Sequence, residues 1–188
     1  MDTKLKSDIA EQAAILHALK RGFGVLRPVG DRLAYDLVFD IGGSLVRIQV
    51  KSAWCNAPTG NFVVDNRRTK TNRRSMVRSS YGKDDFDFAI LYIEDRDVFY
   101  VMPIEVFSSF KSGITLVESK TRQRSPRSYQ YREAWDLLRM WATQPETVER
   151  NLSNSVNPEM GIPSQARQDF WREGVETRRQ ASATVFSG

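Results

Sequence analysis

Three polar side chains, Asp36, Gln49 and Lys51, are spaced so that they can act together. They lie in two segments of alternating apolar and polar residues on either side of Gly42-Gly43, a pattern that predicts a β-hairpin with a two-residue turn. In that hairpin Asp36 lies opposite Gln49, and Lys51 follows two residues later on the same face. A carboxylate, an amide oxygen and an ammonium group suit a hard divalent cation such as Mg²⁺. The lysine could then hold a water nucleophile or offset charge on a phosphate.

The opposite face of the same hairpin supports this register because it is almost wholly apolar. A shift of one residue would mix the apolar and polar sets. Taken by itself, the polar patch also fits an ordinary solvated strand face, and the residues alone leave both interpretations open. The apolar face consists of Tyr35, Leu37, Phe39, Ile41, Val46, Ile48 and Val50.

The elements that must position this hairpin are a helix before it and a mostly buried sheet after it. The helix is expected over residues 4–21 and ends at Gly22. Its apolar stripe consists of Leu5, Ile9, Ala13, Leu16 and either Leu19 or Lys20. The later patterns predict strands at 23–28, 61–65 and 114–117, a buried hairpin of 86–93 with 98–102, a short helix over 103–107 and a closing helix over 131–141.

The positive charge of the chain is concentrated in two segments that contain no acid. The chain has 28 basic and 23 acidic residues, a net charge of +5. Residues 66–83 contain seven of the basic side chains and residues 119–132 contain five, so the rest of the chain is acidic. Serine, threonine, asparagine and tyrosine are interspersed with these arginines, and they also donate to phosphate oxygens. Two such segments favour a nucleic acid as partner over the simpler interpretation of solvated basic loops.

Composition excludes several other classes. A length of 188 residues with 40% hydrophobic and 27% charged residues is typical of one globular domain with an appendage. The single cysteine, Cys55, excludes an intramolecular disulfide framework and a cysteine-based zinc cluster, and it favours a reducing compartment. We expect no secretory signal, because the first eight residues contain no apolar h-region. We expect no membrane span, because no apolar run approaches the ~20 residues that cross a bilayer, and no membrane partner, because neither basic segment has an apolar helical face beside it. The expected location is the cytoplasm, in association with the nucleoid in a prokaryote, or an organellar stroma.

The order of the candidate residues resembles a known nuclease core. A helical Glu11, a strand Asp36 and then Gln49-Val50-Lys51 after a hairpin resemble the PD-(D/E)XK core. The surrounding residues are similar to the group I intron-encoded homing endonucleases of that class, in LKSDIAE at 5–11, RLAYDLV at 32–38 and VRIQVKS at 46–52. The resemblance covers about residues 1–140. It implies an α/β, restriction-endonuclease-like fold with a mixed β-sheet flanked by α-helices.

The resemblance implies a Mg²⁺-dependent, site-specific double-strand DNA endonuclease of the homing type, in which Mn²⁺ can replace Mg²⁺. Asp36 is then the central metal-binding carboxylate, Glu11 the helical carboxylate and the Val50 carbonyl a further metal ligand, with Asp8 supporting them. Lys51 positions the attacking water. Residues 1–142 are the expected endonuclease domain, and 143–188 are a polar linker and C-terminal extension with a helix from about 165 to 179.

Two positions depart from the family pattern. Tyr35 stands where the family has proline, a mild change. Gln49 takes a catalytic position where most relatives have Glu or Asp. The amide removes one negative charge, so it should weaken metal binding.

The resemblance also assigns the basic residues to DNA. The loop over 67–78 is expected to enter the major groove, and residues 120–132 are expected to hold phosphates. Because each subunit carries one site, cutting both strands requires a homodimer or a homotetramer. Tyr81 is expected either to touch DNA or to pack internally. The expected DNA-binding residues are Arg67, Arg68, Lys70, Arg73, Arg74, Arg78, Lys83, Lys120, Arg122, Arg124 and Arg127.

Three alternatives stay open at this point. One is a structure-specific nuclease of the Holliday-junction type with the same core. Another is a non-cutting nucleic-acid-binding protein derived from a nuclease. The third is an RNA-binding partner of an intron.

Overall fold

The computed structural model describes residues 2–30, 32–71, 76–111, 113–119 and 126–144, without the side chains of 69–71 and 76–77. One compact unit, Met1–Thr143, contains all the helices and strands of these residues. The expected linker and C-terminal extension, 143–188, lies outside the described residues apart from its first two positions, so the predicted domain boundary stays a prediction. None of the described helices is long and apolar enough to cross a membrane.

Three helices and ten strands form in the described residues. The helices are α1 (Thr3–Lys20), α2 (Ile104–Ser108) and α3 (Asp136–Ala142). The strands are β1 (Gly24–Leu26), β2 (Leu37–Ile41), β3 (Ser44–Ser52), β4 (Trp54–Asn56), β5 (Asn61–Val64), β6 (Arg67–Thr71), β7 (Met76–Ser80), β8 (Phe88–Ile93), β9 (Val98–Pro103) and β10 (Ile114–Leu116).

A five-stranded mixed sheet in the order β1-β2-β3-β8-β9 carries the core. Strands β3 and β8 run parallel, and the other neighbours are antiparallel. Helix α1 packs on β3 and β8, and α3 packs on β2 and β3. Every residue of β8 and β9 is buried, so both faces of this part of the sheet are covered. The α/β class with a mixed sheet flanked by helices is confirmed.

The predicted hairpin register is confirmed. Leu37 pairs with Ile48 and Phe39 with Val46, all four fully buried. The two turn residues have φ of 63° and 89°, values that glycine adopts without strain and that a type I′ hairpin turn requires.

The apolar stripe predicted for α1 is wrong. Leu5, Leu16 and Leu19 are about half exposed, at 49%, 52% and 54%. The face buried against the sheet instead carries alanines at every fourth position, Ala10, Ala14 and Ala18. Small side chains let the helix lie close to the sheet, where large aromatic residues already fill the core.

The closing helix starts later than predicted. Residues 129–131 form a 3₁₀ turn, and α3 begins only at Asp136. Between them Glu133 has φ of 50° and exchanges two hydrogen bonds with the backbone of Phe99, which holds this part of the chain against β9. Trp135, immediately before α3, and Trp141, near its end, are both buried.

The first basic segment is a two-stranded ribbon, not the loop expected over 67–78. Strands β6 and β7 pair antiparallel from Arg67 opposite Ser80 to Thr71 opposite Met76. A separate three-stranded sheet, β10-β5-β4, leads into it. These strands are rich in arginine, threonine and serine and lack an alternating apolar face, so hydrophobic periodicity does not detect them.

Candidate active site

Asp36 lies immediately before β2 and is held by the backbone of β3. Its amide donates to the carbonyl of Ile48 at 2.9 Å, which continues the hairpin ladder by one residue. Its Oδ2 accepts from the amide of Val50 at 2.8 Å and from Nε2 of Gln49 at 2.5 Å. The carboxylate is therefore fixed in the position that the hairpin register predicted.

The buried Gln49 side chain joins two oxygen atoms. Its Nε2 donates to Oδ2 of Asp36 and, at 3.1 Å, to the carbonyl of Val50. These two oxygens, from a carboxylate and a main-chain carbonyl, therefore converge on one position. Rotation of the amide would present Oε1 there in place of Nε2.

Glu11 comes to this site from α1. It follows the buried Ala10 and so lies at the border of the helix–sheet interface, with its side chain 27% exposed. Its Oε2 accepts from Nη2 of Arg27 at 3.0 Å. Asp8, one turn earlier on the helix, is exposed, and its charge acts on Glu11 through space.

Lys51 extends from β3 into the same site. Its Nζ donates to the main-chain carbonyl of Arg67 at 3.3 Å and lies 5.2 Å from the centre of the Tyr81 ring. The carboxylate of Asp36 is close enough to stabilise the ammonium charge. Lys51 thus has fixed contacts with the base of the ribbon.

Burial controls the protonation of all three charged groups. It raises the pKa of Asp36 more than the Val50 amide and the Lys51 charge lower it. It also raises the pKa of Glu11, where the charge of Asp36 acts in the same direction and Arg27 opposes it. It lowers the pKa of Lys51, against the attraction of Asp36. A bound cation would relieve the cost of the two buried negative charges.

These residues fit a hard divalent cation by the chemistry of their donors. They line one open cleft of about 250 Å³ together with Ser7, Ser52, Trp54, Asp65 and Arg67. Within the described residues no three His, Cys, Asp or Glu side chains cluster. The donors are therefore the two carboxylates, the Val50 carbonyl and the Gln49 amide oxygen, all oxygen atoms of the kind that Mg²⁺ prefers.

The basic residues expected to bind DNA differ in how they are engaged. Arg67 pairs with Asp65 through two hydrogen bonds of 2.9 and 3.0 Å. Arg68 donates to carbonyls of the segment between β1 and β2. Arg78 and Lys83 are exposed. The side chain of Lys70 and the residues Arg73, Arg74, Lys120, Arg122 and Arg124 lie outside the described residues.

The described part of the second basic segment approaches the base of the ribbon. Arg127 is exposed, donates to Oγ of Ser109 and lies 4.9 Å above the ring of Phe110. The carbonyl of Phe110 accepts from the side chain of Asn66, the residue before β6. Asn66 of the first basic segment and Arg127 of the second therefore both contact Phe110.

Sequence reasoning missed Arg27 and did not decide between two positions for Tyr81. Arg27 follows β1, whose Leu26 pairs with Val38, so a correct β1–β2 register would have placed it beside Asp36. Tyr81 was left open, and its ring is in fact buried among Phe86 and Phe107 as well as under Lys51. No periodic signal marks it, because it lies between two elements.

Comparison with known proteins agrees with this geometry. A family model described as PD-(D/E)XK endonuclease matches residues 1–138, and nucleases of this family generally use divalent metals. A solved bacterial homing endonuclease, I-Ssp6803I, is 58% identical to this chain, with a TM-score of 0.73, over 78% of this chain and 99% of that one. The structure of MepB aligns at 14% identity and a TM-score of 0.38, over 68% of this chain and 93% of that one. No curated protein matches the chain. The predicted resemblance is confirmed, and the chain belongs to the PD-(D/E)XK endonuclease family.

Proposed function

We propose that this chain is a Mg²⁺-dependent endonuclease of the homing type, which cuts both strands of DNA at a specific sequence. One observation carries the proposal: the cleft that contains Glu11, Asp36 and Lys51 also includes Arg67, the first residue of the basic ribbon. A phosphodiester held at the base of the ribbon would therefore lie beside the candidate catalytic groups. The similarity to a homing endonuclease over 99% of that protein supports the same function.

Each side chain of the site has a distinct task in this proposal. Asp36, Glu11 and the Val50 carbonyl would hold the cation, and the Gln49 amide oxygen would add a neutral ligand. A bound Mg²⁺, or Mn²⁺ in its place, would supply Lewis-acid stabilisation and a water of lowered pKa. Lys51 has three N–H donors, of which one is used on the Arg67 carbonyl. The others would orient the attacking water and neutralise charge on the phosphate.

The ribbon and the second basic segment would bind the DNA around the cleft. A two-stranded ribbon has the width to enter the major groove, where arginine pairs bidentately with guanine. The exposed Arg78, Lys83 and Arg127 are available for phosphate or base contacts. Because Arg67 is paired with Asp65, we propose that it stabilises the base of the ribbon before DNA binds.

One site per chain implies an assembly of at least two chains. Cutting both strands of a duplex requires two active sites of opposite orientation, which a two-fold homodimer provides and a homotetramer provides twice. Light scattering on the purified protein, alone and with a cleaved duplex, would count the chains. A monomer bound to its target, and still cutting both strands, would contradict this part of the proposal.

The function is tested by incubating a pool of linear random-sequence duplexes with the protein and Mg²⁺ and sequencing the cut ends. A homing-type enzyme enriches one long sequence, and the same reaction in EDTA yields no cut ends. Lys51→Ala protein serves as the matched control for a contaminating nuclease. Cutting of four-way junctions regardless of sequence would identify a junction-resolving enzyme instead. Tight DNA binding without Mg²⁺- or Mn²⁺-dependent cutting would identify a non-cutting binding protein, and preferential binding of intron RNA would identify an RNA partner.

A further inference from the structure

The base of the β6–β7 ribbon is attached to the body of the domain on both of its strands. Asn66, before β6, donates its side-chain amide to the carbonyls of Phe107 and Phe110. Tyr81, after β7, is 8% exposed, and its ring packs against Phe86 and Phe107. Both ends of the ribbon are therefore anchored by contacts to α2 or to the residues just after it.

The same two ends of the ribbon hold the ammonium group of Lys51. The Nζ is 5.2 Å from the centre of the Tyr81 ring and over its face, within the range of a cation–π contact. The Nζ also donates to the main-chain carbonyl of Arg67 at 3.3 Å. Because Arg67 pairs with Ser80 across the ribbon, Arg67 and Tyr81 are neighbours at its base.

We propose that Tyr81 is a positioning residue for Lys51, through which the ribbon is linked to the catalytic site. This inference rests on the proposed role of Lys51 in cleavage. A lysine side chain has four rotatable bonds, and confining its ammonium group costs conformational entropy. The aromatic face and the carbonyl confine it before DNA arrives, beside the cleft that Lys51 lines.

The link gives the ribbon a second task besides contact with DNA. Both groups that hold Lys51 belong to residues at the ends of the ribbon strands, so a shift of the ribbon base would move the ammonium group with it. Phe107 of α2 contacts Tyr81 and accepts a hydrogen bond from Asn66. A shift of α2 would therefore also move the base of the ribbon. Correct seating of the ribbon in the groove would then favour the cutting geometry, and incorrect seating would disfavour it.

The test separates positioning from folding. Four proteins are compared with wild type: Tyr81→Phe, Tyr81→Leu, Tyr81 replaced by trifluorophenylalanine, and Phe86→Leu as a control for loss of a ring in the same buried cluster. Single-turnover cleavage in Mg²⁺ is measured on the duplex recovered from the random pool, and affinity for that duplex is measured by fluorescence anisotropy in EDTA. Circular dichroism gives the folded fraction of each protein.

We expect Tyr81→Phe to cut within about threefold of wild type, because the ring face is retained. Tyr81→Leu should lose roughly ten- to a hundredfold in cleavage rate, with affinity within about twofold of wild type, as is typical of a misplaced catalytic group. Phe86→Leu should lose much less. The trifluorinated ring has nearly the same shape but a weakened negative face, so its rate should fall below that of Tyr81→Phe without loss of folding.

The proposal is wrong if Tyr81→Leu and Phe86→Leu slow cleavage equally, or if the trifluorinated protein cuts as fast as Tyr81→Phe. The fluorinated comparison decides the question even when Tyr81→Leu does not fold. Wild type and Lys51→Ala are measured beside them. If wild type cuts and Lys51→Ala does not, a negative result concerns Tyr81 alone. If wild type does not cut, the proposed function fails and this inference fails with it.

Discussion

Replacing Gln49 with glutamate should make the metal-free protein less stable and its affinity for metal higher. In the structure Nε2 of Gln49 is within hydrogen-bond distance of both Oδ2 of Asp36 and the Val50 carbonyl. Gln49→Glu exchanges this donor for an oxygen that faces two other oxygens. Two favourable contacts therefore become repulsive ones unless a cation intervenes.

The magnitude follows from the distances. Two carboxylates in this contact have charge centres about 4 Å apart, and at an effective dielectric constant of about 20 they repel by about 4 kcal/mol. Since the cleft is open, the new side chain can turn partly toward solvent, so we expect roughly 2–4 kcal/mol of destabilisation in EDTA. For a domain of this size that corresponds to a fall in Tm of roughly 5–15 °C. Mg²⁺ binding relieves the repulsion, so metal affinity should rise by at least about tenfold, or about 1.4 kcal/mol.

The assay is thermal unfolding of wild type, Gln49→Glu and Gln49→Met in EDTA and at increasing Mg²⁺. Gln49→Met has a similar length but neither amide nor charge, so it loses only the two hydrogen bonds, about 1 kcal/mol each. We expect the Tm of Gln49→Glu to be the lowest in EDTA and to rise most steeply with Mg²⁺. Equal behaviour of the Glu and Met proteins in both conditions would refute the assignment of this position to the metal site.

Three further predictions concern the charges of the site and the ribbon. Lys51→Ala should abolish cleavage and leave DNA affinity nearly unchanged, and wild-type turnover of this protein would remove Lys51 from the mechanism. Arg73→Ala combined with Arg74→Ala should weaken binding and reduce the slope of log K against log salt by roughly two, whereas an unchanged slope would exclude both as phosphate contacts. Burial raises the pKa of Asp36 in the folded protein above its ordinary 3.8. The contribution of the protonated Asp36 to folding stability is therefore fully present below pH 3.8 and is lost as the pH rises through the folded-state pKa. Asp36→Asn should therefore be more stable than wild type in EDTA at pH 7, with the difference vanishing toward pH 4 in urea titrations; a constant difference would contradict this.

The parts of the fold with a strict pattern were predictable from the sequence. The hairpin around Asp36 and Gln49 has alternation on both strands and a glycine pair at the turn, so one register alone buries its apolar face. The continuous apolar runs of β8 and β9 likewise predicted strands covered on both faces. In these segments local pattern and final packing agree.

Other parts depend on tertiary contacts that a pattern does not contain. The leucines of α1 are more hydrophobic than its alanines, yet the alanines face the sheet because close approach, not side-chain size, decides that interface. The late start of α3 depends on Glu133, whose left-handed conformation is held by two hydrogen bonds to Phe99. Arg27 enters the site only through the pairing of β1 with β2.

The amide at position 49 is explained by the charge balance of the site, which includes the cations Arg27 and Lys51 as well as the acids. Asp65 and Arg67 of the cleft pair with each other. The other charged groups of the site include the acids Glu11 and Asp36 and two cations that act on them, Arg27 on Glu11 and Lys51 on Asp36. A third carboxylate would leave one charge uncompensated in a half-buried cleft, whereas the amide donates to Asp36 and needs no counter-ion. The same amide can turn its oxygen toward a cation when one binds. On the proposed function, glutamine would balance the charges of the metal-free site at some cost in metal affinity, and the amide would then be compatible with cleavage.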